Sequence, residues 1–401
     1  MAAVQTSSSP RVAVQRIESI DAFRGFVMLL MLAEAMRLWT VHDAFPSSRF
    51  WALIAYNTEH VPWQGCSLHD LIQPAFSFLV GAALPFSIAA RQSRGQSFSR
   101  MSLHAVWRSL VLIFLGIFLR SLGRSTTYWT FEDTLTQIGL GYTFLFLLAF
   151  VSLRAQIAVF VVLLTGYWLM FVLYPLPAPD FNYPAVGVPA DWPHLYTGFL
   201  AHFNKNANVS WAFDTWFLNL FPRLEPFRFN RGGWSTLNFI PTLATMLLGL
   251  WCGKWLRTTR SEKDKLKGLV IAGLALILAG LLLQWLHIVP IIKRIWTSSY
   301  TLYSGGLVIL MLAGFHALIE LRGWRRWAFP LLVIGANSIA VYVMSWTMED
   351  VVRGALLRHI GHRPFGAFGQ PFEPVLQGAA ILGVFWLVLL WMYRRRVFVR
   401  I

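Results

Sequence analysis

Apolar residues in this chain come in long runs, not in the short alternating stripes of a water-soluble sheet protein. Ten runs stand out, at roughly 20–39, 70–90, 103–122, 134–153, 156–174, 236–256, 267–287, 296–319, 329–348 and 375–393. A helix rises about 1.5 Å per residue, so about twenty residues cover the hydrocarbon of a bilayer. The pattern predicts an all-α fold: a polytopic transmembrane helical bundle of about ten spans. Residues 1–18 form a polar tail with no apolar h-region, so no cleavable signal peptide is visible, and the first run is long enough to stay in the membrane. The rest, 19–401, reads as one transmembrane domain. It is interrupted by one long polar connection, 175–235, rich in Pro, Trp, Phe and Asn. Loops of that length are often functional. No internal repeat is found, which weakens an inverted-repeat transporter reading.

Composition agrees with the pattern. Only 13% of the 401 residues are charged, against about 25% in soluble domains. Mean hydropathy is +0.55. Nineteen Trp and 32 Phe suit aromatic belts at the membrane surfaces. The formal charge of +16 would suggest nucleic acid in a soluble protein. Here no basic soluble domain exists to carry such binding, and the charges sit mainly in short loops between apolar runs. They therefore report orientation. Arg11, Arg16, Arg91, Arg94, Arg100, Arg154, the Arg257–Lys267 segment, Arg322, Arg325, Arg326 and the terminal Arg394, Arg395, Arg396 and Arg400 share one side if there are ten spans. By the positive-inside rule that side, with both termini, is cytoplasmic, which predicts a multi-pass membrane protein. The connections 40–69, 175–235 and 349–374 then lie outside. The 120–132 and 349–374 connections also carry Arg, so the bias is a balance. Asn208-Val209-Ser210 in the long loop is a glycosylation sequon, relevant only in a eukaryotic secretory pathway. The two cysteines, Cys66 and Cys252, make no disulfide framework.

Four places concentrate chemistry. Asp21 and Arg24 lie three apart at the start of the first span, on one helix face. They read either as a self-neutralising helix start or as an Arg turned into the bundle toward an anionic ligand. Glu59 to Pro74 is the densest polar cluster beside a span. His60 there suits a base or nucleophile near neutral pH, and Asp70 suits a partner that orients its ring. The competing reading is a solvated outer loop anchored by Trp63. His60, His69, Glu59 and Asp70 match no zinc spacing, so no metal is expected. Gln137, Asn238, Ser298, Ser299, Tyr300, Asn337 and Ser338 are polar residues within spans, most of them suited to helix packing. Lys293-Arg294-Ile295-Trp296 opens the eighth span as a cationic, aromatic anchor. Arg108 lies inside the third span, placed either to snorkel or to join Arg24, Arg91 and Arg94 in a phosphate-binding patch.

The motifs at these places resemble the heparan-α-glucosaminide N-acetyltransferase family, including its bacterial inner-membrane homologues. That family opens with Ser-x-Asp-x-Phe-Arg-Gly, matched by Ser19, Asp21, Phe23, Arg24 and Gly25. Then come His60, Trp63, Gly65, Asp70-Leu71, Pro74, Phe76, Phe78 and Gly81; Pro290, Lys293, Trp296 and Ser299; and Gly335, Asn337, Ser338 and Ile339. The chain departs from the pattern in two places. It reads Ala33-Glu34-Ala35 where relatives carry Asn, and Ile138 follows Gln137 where relatives carry Arg.

The resemblance implies transfer of acetyl from cytosolic acetyl-CoA to the amine of an amino sugar or oligosaccharide on the outer side, with His60 as the active-site residue. On that reading Asp70 orients His60, and Asn337 or Ser299 donates to the developing oxyanion. Asp21, Arg24, Arg108 and Gln137 serve the cofactor, and Glu34, Trp63, Trp296 and Lys293 meet the acceptor. Homodimerisation is a further family expectation. The rival readings are a sugar or anion permease and an O-acetylating enzyme of an envelope polysaccharide.

Overall fold

The structure is a computed structural model that describes residues 17–399. The N-terminal tail with Arg11 and Arg16, and the terminal Arg400, lie outside the described residues. The regular elements of the described residues are helices: α1 (Glu18–Leu32), α2 (Trp39–Ala44), α3 (Arg49–Thr58), α4 (Ile72–Gln92), α5 (Phe98–Ser121), α6 (Thr134–Leu148), α7 (Leu153–Leu173), α8 (Val209–Phe217), α9 (Phe239–Leu256), α10 (Glu262–Trp285), α11 (Ser298–His316), α12 (Phe329–Gly335), α13 (Ser338–Thr347), α14 (Glu349–Ile360) and α15 (Glu373–Arg394). Many helices start on a residue whose side chain takes up an otherwise unpaired backbone N–H. Ser97, Asp133, Ser152, Asn208, Ser261 and Thr297 do so for α5, α6, α7, α8, α10 and α11.

Among the described residues, seven helices are long and apolar enough to cross a membrane, and an eighth span results if α12 and α13 are one helix bent by 66°. The other two expected runs are helical but short. The first is the fifteen-residue α1, which passes into a 3₁₀ turn and stops at Arg37, where φ is 47°. The other is the fifteen-residue α6. The run at 329–348 breaks because Asn337 leaves the helical conformation (φ −130°, ψ 41°).

The apolar stretches divide into inner and outer helices. In the most apolar stretch of the α9 region 83% of the residues are buried, against 17% in α10, so α9 is central and α10 faces outward. Glycines let central helices touch backbone to backbone. A Cβ on Gly249 of α9 would lie 1.9 Å from the Phe78 carbonyl oxygen of α4, and one on Gly81 of α4 would lie 1.9 Å from that of Met246. The motif glycines Gly25 and Gly335 serve the α1–α12 crossing in the same way: a Cβ on Gly25 would lie 1.8 Å from the Leu331 carbonyl oxygen.

The basic loops are tied together at one end of the bundle. Arg257 donates to the carbonyl of Pro85 at 2.7 Å, Lys254 to that of Ala149 at 3.2 Å, and Arg325 pairs with Glu18 at 3.5 Å. At the other end the long 175–235 segment folds over the bundle on a polar framework of its own. Asn204 bonds both backbone groups of Tyr196, and Asn206 bridges the carbonyls of Val186 and Asn230. Asn208 is 1% exposed and caps α8, so the sequon is shielded in the folded chain.

Candidate active site

The polar cluster before α4 and the turn before α11 come together although more than two hundred residues separate them. Gly65 N–H donates to the Ile291 carbonyl at 2.9 Å, and Gln64 pairs with Ile292 in an isolated antiparallel bridge. Tyr300 of α11 donates to the Asp70 carbonyl at 2.8 Å. This clamp places His60, Asp70 and Lys293 in one triangle. His60 Nδ1 lies 2.7 Å from Asp70 Oδ1, Lys293 Nζ lies 3.2 Å from that oxygen, and Nζ and Nδ1 are 3.1 Å apart. Asp70 Oδ2 accepts from the backbone N–H groups of Val61 and Ser67. The carboxylate is therefore fixed from both sides, and it is 1% exposed.

The carboxylate acceptor at 2.7 Å favours the imidazole proton on Nδ1, against the Lys293 ammonium 3.1 Å from the same nitrogen; in that tautomer the Nε2 lone pair is free for chemistry. Burial, reinforced by the Lys293 ammonium and opposed by Asp70, depresses the His60 pKa to about 4. The ring is thus neutral across the physiological range. Burial pulls the Lys293 ammonium below the ordinary lysine range, with Asp70 opposing the shift. Burial, then Asp70, pushes the nearby Cys66 thiol up to about 12, so it offers no thiolate nucleophile.

His60 opens on a cavity of about 480 Å³. Beside it stand His69, with ring centroids 4.4 Å apart, and Trp234, edge-on at 5.6 Å. The Trp234 face also carries Arg294, with its guanidinium carbon 4.8 Å from the ring centroid. Across the cavity, Arg120 pairs with Asp133 at 3.4 Å and covers the Trp346 ring at 4.7 Å. Tyr342 donates to Asp133 at 2.7 Å. Glu132 accepts from Asn230, and burial lifts its carboxyl above the ordinary range, Arg120 opposing. Glu34 and Glu349 complete the acidic part of the lining.

A second cavity of about 990 Å³ lies at the basic end, lined by Arg24, Arg91, Arg94, Arg100 and Arg108, and by no Asp or Glu among the described residues. Arg24 pairs with Asp21 at 3.0 Å. Arg108 donates to the Tyr142 hydroxyl at 3.1 Å, and its buried Nε has no partner. Five guanidinium groups around one cavity have the chemistry to hold phosphates or another polyanion.

The two cavities stack along the same helices. α1 gives Arg24 to the basic cavity and Met28 to the other; α4 gives Val80 and Gln73; α6 gives Ile138 and Thr134; α13 gives Ser338 and Tyr342. The face of α4 from Ile72 to Arg91 runs roughly 28 Å at 1.5 Å per residue. The four sequence motifs therefore assemble in pairs: the second and third build the His60 cavity, and the first and fourth flank the basic one.

Several residues singled out in the sequence lie elsewhere. Asn337 stands at the basic end, where its amide donates to the Val397 carbonyl and accepts from the Val399 N–H, out of reach of His60. Ser299 donates to the Pro290 carbonyl at 2.7 Å and so braces the turn that carries Lys293. Trp63 is fully buried and donates to the Phe203 carbonyl at 3.2 Å, anchoring the long loop. Trp296 is also fully buried, edge-on to Tyr300 at 5.5 Å. Gln137 donates to the carbonyls of Phe131 and Thr236 between two loop segments, away from the basic cavity lining. The aromatic walls of the His60 cavity come from Trp234 and Trp346. Neither belongs to a matched motif, and no signal in the sequence singles them out from the other seventeen or so tryptophans.

The chain is similar to the heparan-alpha-glucosaminide N-acetyltransferase of Mus musculus, with 23% identity over 384 residues, 85% of this chain and 55% of the mouse protein. It is also similar to the Homo sapiens protein of that name, 30% identical over 104 residues, 26% of this chain and 14% of the human one. The chain thus spans about half the length of the mouse relative or less in the human match. No protein-family model matches it. The resemblance carried by the motifs extends, in the mouse alignment, over most of the chain.

Proposed function

We propose that the protein is a membrane acetyltransferase that takes acetyl from acetyl-CoA on the cytoplasmic side and passes it to the amine of an amino sugar at the outer side. One observation carries the reading: an arginine-lined cavity and a cavity holding a neutral His60 stack along the same four helices, in a chain similar to an N-acetyltransferase. Arg24, Arg91, Arg94 and Arg108 suit the phosphates of CoA, whose charge then stays at the basic end. That end faces the cytoplasm by the distribution of Lys and Arg.

In the acceptor cavity the amine nitrogen attacks the thioester carbonyl. Neutral Nε2 of His60 takes the amine proton as the new C–N bond forms. The C–S bond breaks, and CoA leaves as a thiolate that recovers the proton. Asp70 holds the ring and steadies the imidazolium that forms in passing, while burial, reinforced by the Lys293 ammonium beside the same carboxylate, keeps the resting ring neutral. Trp234 and Trp346, each with a cation against its ring, supply aromatic walls for a sugar, and Glu34, Glu132 and Glu349 offer acceptors for its hydroxyl and amine groups.

Purified protein given acetyl-CoA and a panel of amino sugars is expected to release free CoA thiol and yield N-acetylated product by mass spectrometry, and His60→Ala is expected to abolish both. Full activity in His60→Ala would remove the catalytic assignment. Product only with hydroxyl acceptors would favour O-acetylation, and movement of sugar into sealed vesicles without thiol release would favour a permease.

A further inference from the structure

The two cavities share one lining residue among those described, Phe76 of α4. One turn before it, Gln73 faces the His60 cavity; one turn after it, Leu79 and Val80 face the basic one. The Phe76 ring therefore sits at the junction, 7% exposed and packed into the main apolar core. The helix that carries it has no room to step back. Two residues along, the Phe78 carbonyl lies where a Cβ on Gly249 of α9 would be only 1.9 Å away, and Gly81 meets α9 just as closely. With the backbone fixed and the interior close-packed, the width at the junction depends on the side chain at position 76.

We propose that Phe76 sets the bore between the donor and acceptor chambers and so restricts the enzyme to donors with short acyl groups. This rests on the acetyltransferase reading above. An acyl group delivered from the basic cavity toward His60 must pass the ring. With the thioester carbonyl at His60 the acyl tail must lie beside the ring; acetyl is short enough to fit there, and each added methylene must displace aromatic surface in a wall that does not yield. A hydrophobic wall discriminates by about tenfold or more per methylene.

The test compares wild type, Phe76→Leu and Phe76→Ala with acetyl-, propionyl- and butyryl-CoA and one amino sugar that the wild type acetylates. The ratio of kcat/KM for butyryl-CoA to that for acetyl-CoA is expected to rise by about tenfold or more in Phe76→Ala, and by less in Phe76→Leu. Phe76→Trp is expected to lose acetyl transfer while still binding acetyl-CoA. A merely structural role would lower transfer from all three donors alike and leave the ratio flat. A flat ratio in an active Phe76→Leu protein overturns the proposal even if Phe76→Ala does not fold, and leaves the acetyltransferase reading intact. A wild type that transfers no acyl group from any donor overturns both.

Discussion

His60 has two ionic neighbours of opposite sign on one side of its ring, and burial first, then their balance, sets its protonation. Asp70 at 2.7 Å favours imidazolium; burial and Lys293 at 3.1 Å disfavour it and win, holding the pKa at about 4 against an ordinary 6.5. If His60 is the base proposed above, its neutral form is available at pH above about 4 and is lost as pH falls through that value. Lys293→Met removes the opposing cation and leaves Asp70 as the close ionic partner. The folded-state pKa of His60 must then rise, and its imidazole titration, followed by NMR in the ligand-free protein, is expected to move up from about 4 toward the ordinary imidazole value. A titration that stays in place would show that Lys293 does not tune the ring. Asp70→Ala has a different consequence. It leaves the 3%-exposed Lys293 ammonium without its counter-ion, a change that costs about 3–5 kcal/mol in buried pairs.

At the scale of helices, function depends on how closely α4 lies against α9, because α4 carries one wall of both cavities. Gly249→Ala puts a methyl group 1.9 Å from the Phe78 carbonyl oxygen, which no side-chain rotation relieves. The two helices must separate, and overpacking of this kind costs about 1–3 kcal/mol. The expected result is a lower melting temperature in detergent, with a larger loss for Gly249→Leu; an unchanged melting curve for both would show that the contact is loose. The runs that become these helices were plain in the sequence because lipid demands about twenty apolar residues in a row. The shorter α1 and α6 were harder to read: the left-handed Arg37 ends the turn that continues α1, and α6 ends at its Ala149 cap, just before the Ser152 cap that starts α7. His60, Asp70 and Lys293 stood out because charge beside an apolar run is conspicuous. Trp234, Glu132 and Arg120 did not: they sit in polar connections or near a helix end, and only the fold of the long loop brings them to the cavity. Trp63 and Trp296 were conspicuous for the same motif residues that surround them, yet their rings are spent on packing.

At the scale of the molecule, the decisive quantity is which side of the membrane each cavity opens to. The basic loops converge at one end, as the bonds from Arg257 to Pro85 and from Lys254 to Ala149 attest, and the His60 cavity lies toward the other. If that axis crosses the bilayer, the reading proposed above has the cation-rich chamber hold the anionic end of the donor on one side while its thioester end reaches the His60 cavity toward the other. The arrangement is testable without any assay of catalysis. In a Cys66→Ser, Cys252→Ser background, single cysteines at Glu59 and Arg94, both exposed, mark the two ends of the bundle. A membrane-impermeant maleimide added to intact cells is expected to label Glu59→Cys and to spare Arg94→Cys until the membrane is opened. Inverted vesicles should give the reverse. Labelling of both positions from the same face would mean that the two chambers share a compartment. Transfer across the membrane would then be excluded, whatever chemistry His60 performs.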